Sequence, residues 1–403
     1  MKKLSKLFAV LFALAILVTI VDRMPIEAAA KKTVRVISQK ELNKALKNSN
    51  VDTIIFRSEI YDSITINSKK AKKKNIIIDL PNSSVTNKSK FKSIEIQNAG
   101  CFIEEVTGNT ITMSGACDLI LSEGITVKKL ILKTTNPYYT IRKGASIKTV
   151  AFETNGDKGV YDSKTRTIQL DTKEYEEDES YDVSYTYTLD KSGRVLEYIY
   201  YQEYAVPSKQ LMKFAYDKNG NRTKAENTDY ETGDVIWFYN YEYDNNNNMT
   251  KQIFKDDDIF SYKYDSNNDL IGYVYDNETY HAETTYTNYS NGRQKTAITI
   301  SYYISDGVKG EESKLSITYK YDKKGNNTSS LLKYSDGSTI EYQYTYDKAG
   351  NLTYMKDIEY DAETGETNVW ENKMEYDEFG NLTNLLGKTP YSDEWMDSSQ
   401  YAG

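Results

Sequence analysis

Tyr216-Asp-Lys-Asn-Gly-Asn-Arg-Thr223 is the stretch whose recurrence decides the fold. It returns as Tyr321-Asp-Lys-Lys-Gly-Asn-Asn-Thr328, as Tyr346-Asp-Lys-Ala-Gly-Asn-Leu-Thr353 and as Tyr376-Asp-Glu-Phe-Gly-Asn-Leu-Thr383. Degenerate copies are Tyr243-Asp-Asn-Asn-Asn-Asn-Met-Thr250 and Tyr264-Asp-Ser-Asn-Asn-Asp-Leu270, with looser ones at Tyr187 to Arg194 and Tyr289 to Arg293. Upstream of the copies tyrosine alternates with polar residues, as in Glu341-Tyr-Gln-Tyr-Thr-Tyr346, the period-two pattern of a strand with two unlike faces. In Asp-x-x-Gly-Asn the aspartate bonds forward to nearby backbone, and Gly (or Asn) accepts the positive φ of a reversal. The turn positions are therefore Asp217, Gly220 and Asn221; Asp322, Gly325 and Asn326; Asp347, Gly350 and Asn351; and Asp377, Gly380 and Asn381. Each unit is a β-hairpin that cannot bury its own apolar face, so neighbours must stack.

These Tyr-Asp-x-x-Gly-Asn-x-Thr units closely resemble the YD repeats of Rhs proteins and wall-associated bacterial proteins, over about residues 183–387. The resemblance implies a spiral of stacked antiparallel hairpins and cell-surface, carbohydrate-binding or toxin-delivery roles. Toxin-bearing members of that family carry far more repeats and a toxic domain after the family core. Here the repeats stop near Leu386 and residues 388–403 form a short tail, so neither a closed shell nor a toxin is expected.

Upstream of the repeats the grammar changes. Ser38-Gln-Lys-Glu41 ahead of Leu42, Ala45 and Leu46 is a capping box that predicts one amphipathic helix over about 39–48. Very short apolar runs follow, among them Thr53-Ile-Ile-Phe56, Ile76-Ile-Ile78, Ile94-Glu-Ile96, Leu119-Ile-Leu121 and Leu130-Ile-Leu132. Runs this short suit the rungs of a parallel β-helix, where inward positions stack into apolar ladders. The expected class is all-β: a small right-handed parallel β-helix-like solenoid with one capping helix over 31–155, an acidic linker over 156–182, and the hairpin array over 183–387. Cys101 and Cys117 each follow a small-residue turn. If their separation is one coil, the two stack within disulfide reach; a bonded pair and a buried thiol ladder are both open.

Charge and export complete the sequence reading. Residues 31–153 hold 21 Lys/Arg against 11 Asp/Glu, whereas 154–403 hold 26 against 46 and nearly all of the 37 tyrosines. Lys2, Lys3 and Lys6, the apolar run Leu7 to Val21, and Ala28-Ala29-Ala30 read as a signal peptide over 1–30; an uncleaved anchor is the alternative. The expected location is secreted or cell-surface associated, in a bacterium, with no integral membrane segment after signal removal. A single histidine, His281, excludes multi-His metal sites and leaves one base for any His-dependent triad. No cofactor and no metal are expected, specific calcium at Asp217 to Asn221 or Asp256 to Asp258 being weighed and set below plain turn chemistry. Nucleic acid is not an expected partner.

The expectation for function is a non-catalytic binding or structural protein that meets cell-wall or extracellular polysaccharide through the repeats. Trp237 and Trp370 are the candidate sugar platforms, with core packing as their other reading. A polysaccharide lyase or hydrolase, and an interaction module of a toxin or adhesion system, are the alternatives.

Overall fold

A computed structural model describes residues 33–58, 63–135, 138–176, 179–203, 207–255, 257–290, 293–348, 350–377, 382–392 and 394–397. The signal segment 1–30, together with Gly380 and Asn381, lies outside the described residues. Among the described residues no helix is long and apolar enough to cross a membrane.

The first part is a parallel ladder. Strand Thr33–Val36 pairs with Thr53–Arg57, which pairs with Asn75–Asn87, then Ser93–Glu104, Thr110–Met113, Lys129–Leu132 and Val150–Thr154, every pairing parallel. Along it Ile54, Ile76, Ile94, Ile111, Leu130 and Val150 stand in register, and so do Phe56, Ile78, Ile96, Met113, Leu132 and Phe152. All twelve are buried, because period-two alternation sends one side of each rung inward. The helix α1 (Gln39–Lys47) starts where the capping box places it, with Ser38 Oγ accepting from the Glu41 N–H at 3.3 Å. Leu42, Ala45 and Leu46 are its buried face, and it packs on the first two strands of the ladder.

The cysteines do not meet as one coil predicted. Register places Cys101 opposite Asp118 and Cys117 opposite Ala99, and both thiols are unbonded. The coil here is 17 residues at Cys101 and 18 at Cys117, against a separation of 16, so the two slip out of alignment. Burial pushes the Cys101 thiol up to about 11 and Cys117 higher still.

A polar interruption inside the ladder went unread in the sequence. Ile66, Asn87, Glu104, Leu121 and Ile141 share one inward row, and Asn87 and Glu104 are fully buried in it. Asn87 Nδ2 donates to both Glu104 oxygens at 3.0 and 2.9 Å, Asn109 Nδ2 to Oε2 at 3.1 Å, and the Val106 N–H to Oε1 at 2.8 Å. Burial outweighs these donors and lifts the Glu104 carboxyl to about 7. The folded chain therefore holds this proton more tightly than the unfolded chain does. Its stabilising contribution is complete below the ordinary carboxyl value and is lost as pH rises through about 7. Denaturant titrations at pH 5 and pH 7.5 should show the wild type losing about 2–3 kcal/mol more across that window than Glu104→Gln does. Parallel slopes in the two proteins would show that Glu104 does not titrate there.

The second part is an antiparallel meander running in chain order from Val160–Asp162 to Met396–Asp397. It begins earlier than the sequence suggests. The acidic stretch expected to be a linker forms strand Thr167–Glu176, which pairs with Glu179–Leu189 from Thr167↔Thr188 to Glu176↔Glu179. Its charge hid an alternation in which Ile168, Leu170 and Thr172 turn inward and are buried. The expected tail also contributes, Met396–Asp397 pairing with Leu386 and Gly387. One continuous cluster of buried residues runs from Val36 through the ladder to Ala225 in the meander.

Candidate functional site

The repeated turns share one hydrogen-bond pattern. In Asp217 to Asn221 the aspartate Oδ1 accepts the N–H groups of Asn219 and Asn221 at 2.8 Å each, and Oδ2 accepts Asn221 Nδ2 at 2.8 Å. Asp244 to Asn248 repeats these three bonds, as does Asp322 to Asn326. Asp347 keeps two of them to Asn351, at 2.9 and 2.7 Å. The reversal has positive φ at Gly220, Gly325 and Gly350, and Asn247 and Asn268 substitute for glycine with φ of 66° each. The tyrosine before each of these turns sits at a β-bulge. Neighbouring turns are joined sideways, Asn221 Nδ2 donating to Asn247 Oδ1 at 2.9 Å and Asn248 Nδ2 to Asn268 Oδ1 at 3.0 Å. These bonds occupy Asp217, weighed in the sequence as a calcium ligand, so turn formation accounts for it. Of Asp256 to Asp258, also weighed for calcium, Asp256 lies outside the described residues, and Asp257 is a turn residue with a φ of 58°.

The same turns dock on the ladder. Tyr139 hydroxyl donates to the Gly193 carbonyl at 2.8 Å, Arg194 Nη2 to the Ile141 carbonyl at 2.8 Å, and Arg142 reaches Asn221 Oδ1. At the opposite end of the ladder Arg35 donates to Asn351 Oδ1, and Gly350 lies against Ile37. Aspartate-glycine-asparagine turns thus have two jobs, closing hairpins and gripping the parallel coils.

Between these docked elements lies the candidate binding site. A cavity of about 190 Å³ is lined by Thr135, Glu174, Tyr185, Tyr198, Tyr200, Gln210, Met212 and Asn227. Strand register builds it: Tyr187, Tyr198, Met212, Asn227 and Trp237 stand in one row across five strands, and Tyr185, Tyr200 and Gln210 in the next. Glu174 accepts from the hydroxyls of Tyr185, Tyr181 at 3.3 Å and Tyr200 at 3.4 Å. Asn227 Nδ2 donates to Gln210 Oε1 at 2.7 Å. Its Oδ1 is buried with no hydrogen-bond partner, in a residue only 5% exposed. Burial pushes the Tyr198 phenol up to about 12, and both burial and Glu174 raise Tyr185 and Tyr200, so these hydroxyls stay protonated donors. The wall can stack on a ring with its aromatic faces and bond hydroxyls with its acid and amides.

Trp237 is half-buried beside this cavity, its ring 4.8 Å from that of Tyr239 and packed against the core. Trp370 is half-buried far along the meander, opposite Asp357. The two candidate platforms are thus in separate places. Asp377 directly follows the strand Thr367–Tyr376, away from the residues that line the cavity. His281 bonds Asp276 through Nδ1 at 2.5 Å and stacks on Tyr302. Sequence reading missed Glu174, hidden in the supposed linker, and Asn227 and Gln210, which carry no motif.

A second internal repeat also escaped it. Asp229-Tyr-Glu-Thr-Gly-Asp234 precedes Trp237, and Asp361-Ala-Glu-Thr-Gly-Glu366 precedes Trp370. Both turns bond alike: aspartate Oδ1 accepts two N–H groups, the threonine hydroxyl a third, and the glycine φ is 77° and 70°.

No protein-family model matches the chain, and no curated protein does. Among solved structures it is similar to TcdB2-TccC3, at 13% identity and a TM-score of 0.28, over 58% of this chain and 15% of that one. It is also similar to a porin-like protein from Bacteroides uniformis, at 13% identity and a TM-score of 0.26, over 51% of this chain and 93% of that one. The Photorhabdus luminescens Tc holotoxin pore matches at 13% identity and a TM-score of 0.26, over 59% of this chain and 15% of that one. The chain spans about 15% of the length of the toxin chains. Likeness at this level carries no argument about activity.

Proposed function

We propose that this is an exported, non-catalytic binding protein of the bacterial surface or medium that holds a glycan unit in the tyrosine-lined cavity. In this reading the coils run right-handed, and the YD-like hairpins spiral around them as a rigid scaffold. The observation that carries it is a cavity walled by three tyrosine rings, the Glu174 carboxylate and the Gln210 and Asn227 amides, which together offer stacking faces, donors and acceptors. Glu174 is the one carboxylate in the lining, whereas glycoside hydrolysis ordinarily uses two flanking the bond, so binding without turnover is the simpler reading. A volume near 190 Å³ suits one sugar ring rather than a long chain segment. The coarser description, an interaction module of a toxin or surface system, requires no choice of ligand.

Calorimetric titration of the full chain with cell-wall and extracellular oligosaccharides tests this. Tyr200→Phe and Asn227→Leu should each weaken binding by about 5- to 30-fold, the worth of one buried hydrogen bond, with the circular dichroism spectrum unchanged. A panel with no binder would remove the glycan reading. Binding that ignores both substitutions would place the ligand elsewhere, and release of reducing ends would replace binding by catalysis.

A further inference from the structure

The positive charge of the ladder is divided by residue type. Residues 31–153 hold three arginines, and each is engaged: Arg35 bonds Asn351, Arg142 bonds Asn221, and Arg57 pairs with Asp79. The other 18 of the 21 basic residues are lysines, and several of them line one corner of the coils. Two residues before the buried row Ile76, Ile94, Ile111, Leu130 and Val150 stand Lys74, Lys92, Asn109, Lys128 and Lys148, one per coil. Backbone bonds join them, the Lys92 N–H donating to the Lys74 carbonyl at 2.9 Å and the Lys128 N–H to the Asn109 carbonyl at 2.8 Å. Lys92, Lys128 and Lys148 are exposed, and none has an ion pair among the described residues. Four residues before the same buried row stand Lys72, Lys90, Thr107, Thr126 and Ser146. There Lys90 Nζ reaches across a coil to the Thr107 carbonyl at 3.3 Å, and the Thr126 and Ser146 hydroxyls bond at 3.1 Å. Gly108 leaves the space for that lysine, since a Cβ there would stand 2.5 Å from Lys90 Nζ. Burial lowers the Lys90 ammonium, Glu104 opposes this, and the charges of Lys128 and Lys72 lower it further, so these ammonium groups feel one another.

We propose that this corner of the ladder is a docking surface for a linear polyol-phosphate polymer, its phosphodiesters held by Lys72, Lys90, Lys92, Lys128 and Lys148. The surface is separate from the tyrosine-lined cavity and does not rest on the glycan reading. Successive coils lie about 4.8 Å apart, so the lysines form a file along the ladder axis. A file of like charges is complementary to a chain of evenly spaced opposite charges, whereas a lipid surface offers a plane. Lysine binds phosphate as a point charge, without the bidentate fork that arginine offers, so the chain can slide in register along the row. Neither row contains an aromatic residue on which a nucleic-acid base could stack, which favours a polymer whose repeating unit is an uncharged polyol. The meander sharpens the choice of surface. Residues 154–403 hold 26 Lys/Arg against 46 Asp/Glu, a field that repels a polyanion and confines it to the ladder.

The test is fluorescence anisotropy of an end-labelled glycerol-phosphate octamer titrated with the full chain, starting from about 50 mM sodium chloride and repeated as salt is raised. Two triple variants are compared, Lys92→Gln with Lys128→Gln and Lys148→Gln on the corner, and Lys213→Gln with Lys218→Gln and Lys333→Gln on the exposed surface of the meander. Both remove the same charge from exposed positions, and circular dichroism checks that each keeps the fold. The corner variant should bind about tenfold more weakly and flatten the slope of log K against log salt by about 2, near 0.7 per lysine lost. The meander variant should match the wild type in both readouts. Equal losses in the two variants would mean that net charge acts without a site, and the proposal would fall. It would fall equally if the octamer did not bind, or if inorganic phosphate at the same phosphate concentration displaced it. Tighter binding to a thymidine octanucleotide, or to phosphatidylglycerol vesicles, would replace the polyol-phosphate polymer by nucleic acid or by a membrane. Neutral oligosaccharide binding at the cavity should be the same in the corner variant and the wild type, so the two readings stand or fall apart.

Discussion

Replacing Gly220 by alanine is expected to destabilise the fold by about 3 kcal/mol or more, from left-handed strain plus overpacking. Gly220 has a φ of 87°, and a Cβ added there would stand 1.9 Å from the carbonyl oxygen of Ile141. That oxygen belongs to the backbone of a ladder strand and cannot swing aside. Gly233 is the control, with a φ of 77° and nothing within 4 Å of the place its Cβ would take. Gly233→Ala should therefore show the conformational cost alone, about 1–2 kcal/mol. Urea denaturation of the two variants measures the difference. Equal losses would mean that the Asp217–Asn221 turn closes its hairpin without seating on the parallel coils. A larger loss in Gly220→Ala makes the glycine of the repeat a docking residue as well as a turn residue.

The distinction bears on how far the sequence could be read. The turn at Gly220 was legible because its chemistry is local: Asp217, Gly220 and Asn221 satisfy one another within five positions. The ladder was legible for a similar reason, since each rung repeats the same inward alternation. The grip of Gly220 on Ile141 was not legible, because no spacing rule joins residues so distant in the chain. The linker failed for another reason. Glu174 and its neighbours present a charge run that resembles a solvated connector, yet Ile168, Leu170 and Thr172 carry the period of a half-buried strand. Charge on a strand that borders a tyrosine wall is stabilised by phenol donors, which composition does not reveal. The cavity was invisible for the same cause, as Glu174, Gln210 and Asn227 come from three strands and meet only through register. Trp237 and Trp370 stood out in the sequence because tryptophan is rare, and each stands opposite a polar residue of the neighbouring strand, Asn227 and Asp357.

Tyr187→Ala should lower the stability of ladder and meander together, by about 4 kcal/mol. Tyr187 is fully buried, its ring stacked on Phe152 with centroids 3.8 Å apart, and its hydroxyl donates to the Thr135 carbonyl at 2.8 Å. Phe152 belongs to the last parallel rung and Tyr187 to the second long strand of the meander, so the pair closes the seam between the two architectures. Tyr187→Phe keeps the stack and forfeits the hydroxyl, for a loss of about 1–3 kcal/mol. Two reporters separate the halves. All three tryptophans lie in the meander, and Cys101 and Cys117 lie in the ladder. Burial holds both thiols in the protonated form, so they label slowly until the coils open. Tryptophan fluorescence and thiol labelling across a urea series should give coincident transitions in the wild type, both moved to lower urea by Tyr187→Ala. If the two parts were independent domains on a flexible connector, the substitution would shift the tryptophan transition and leave the cysteines protected. Continuity of the buried cluster from Val36 to Ala225 argues for the coincident result, since no plane of water divides the two sets of strands.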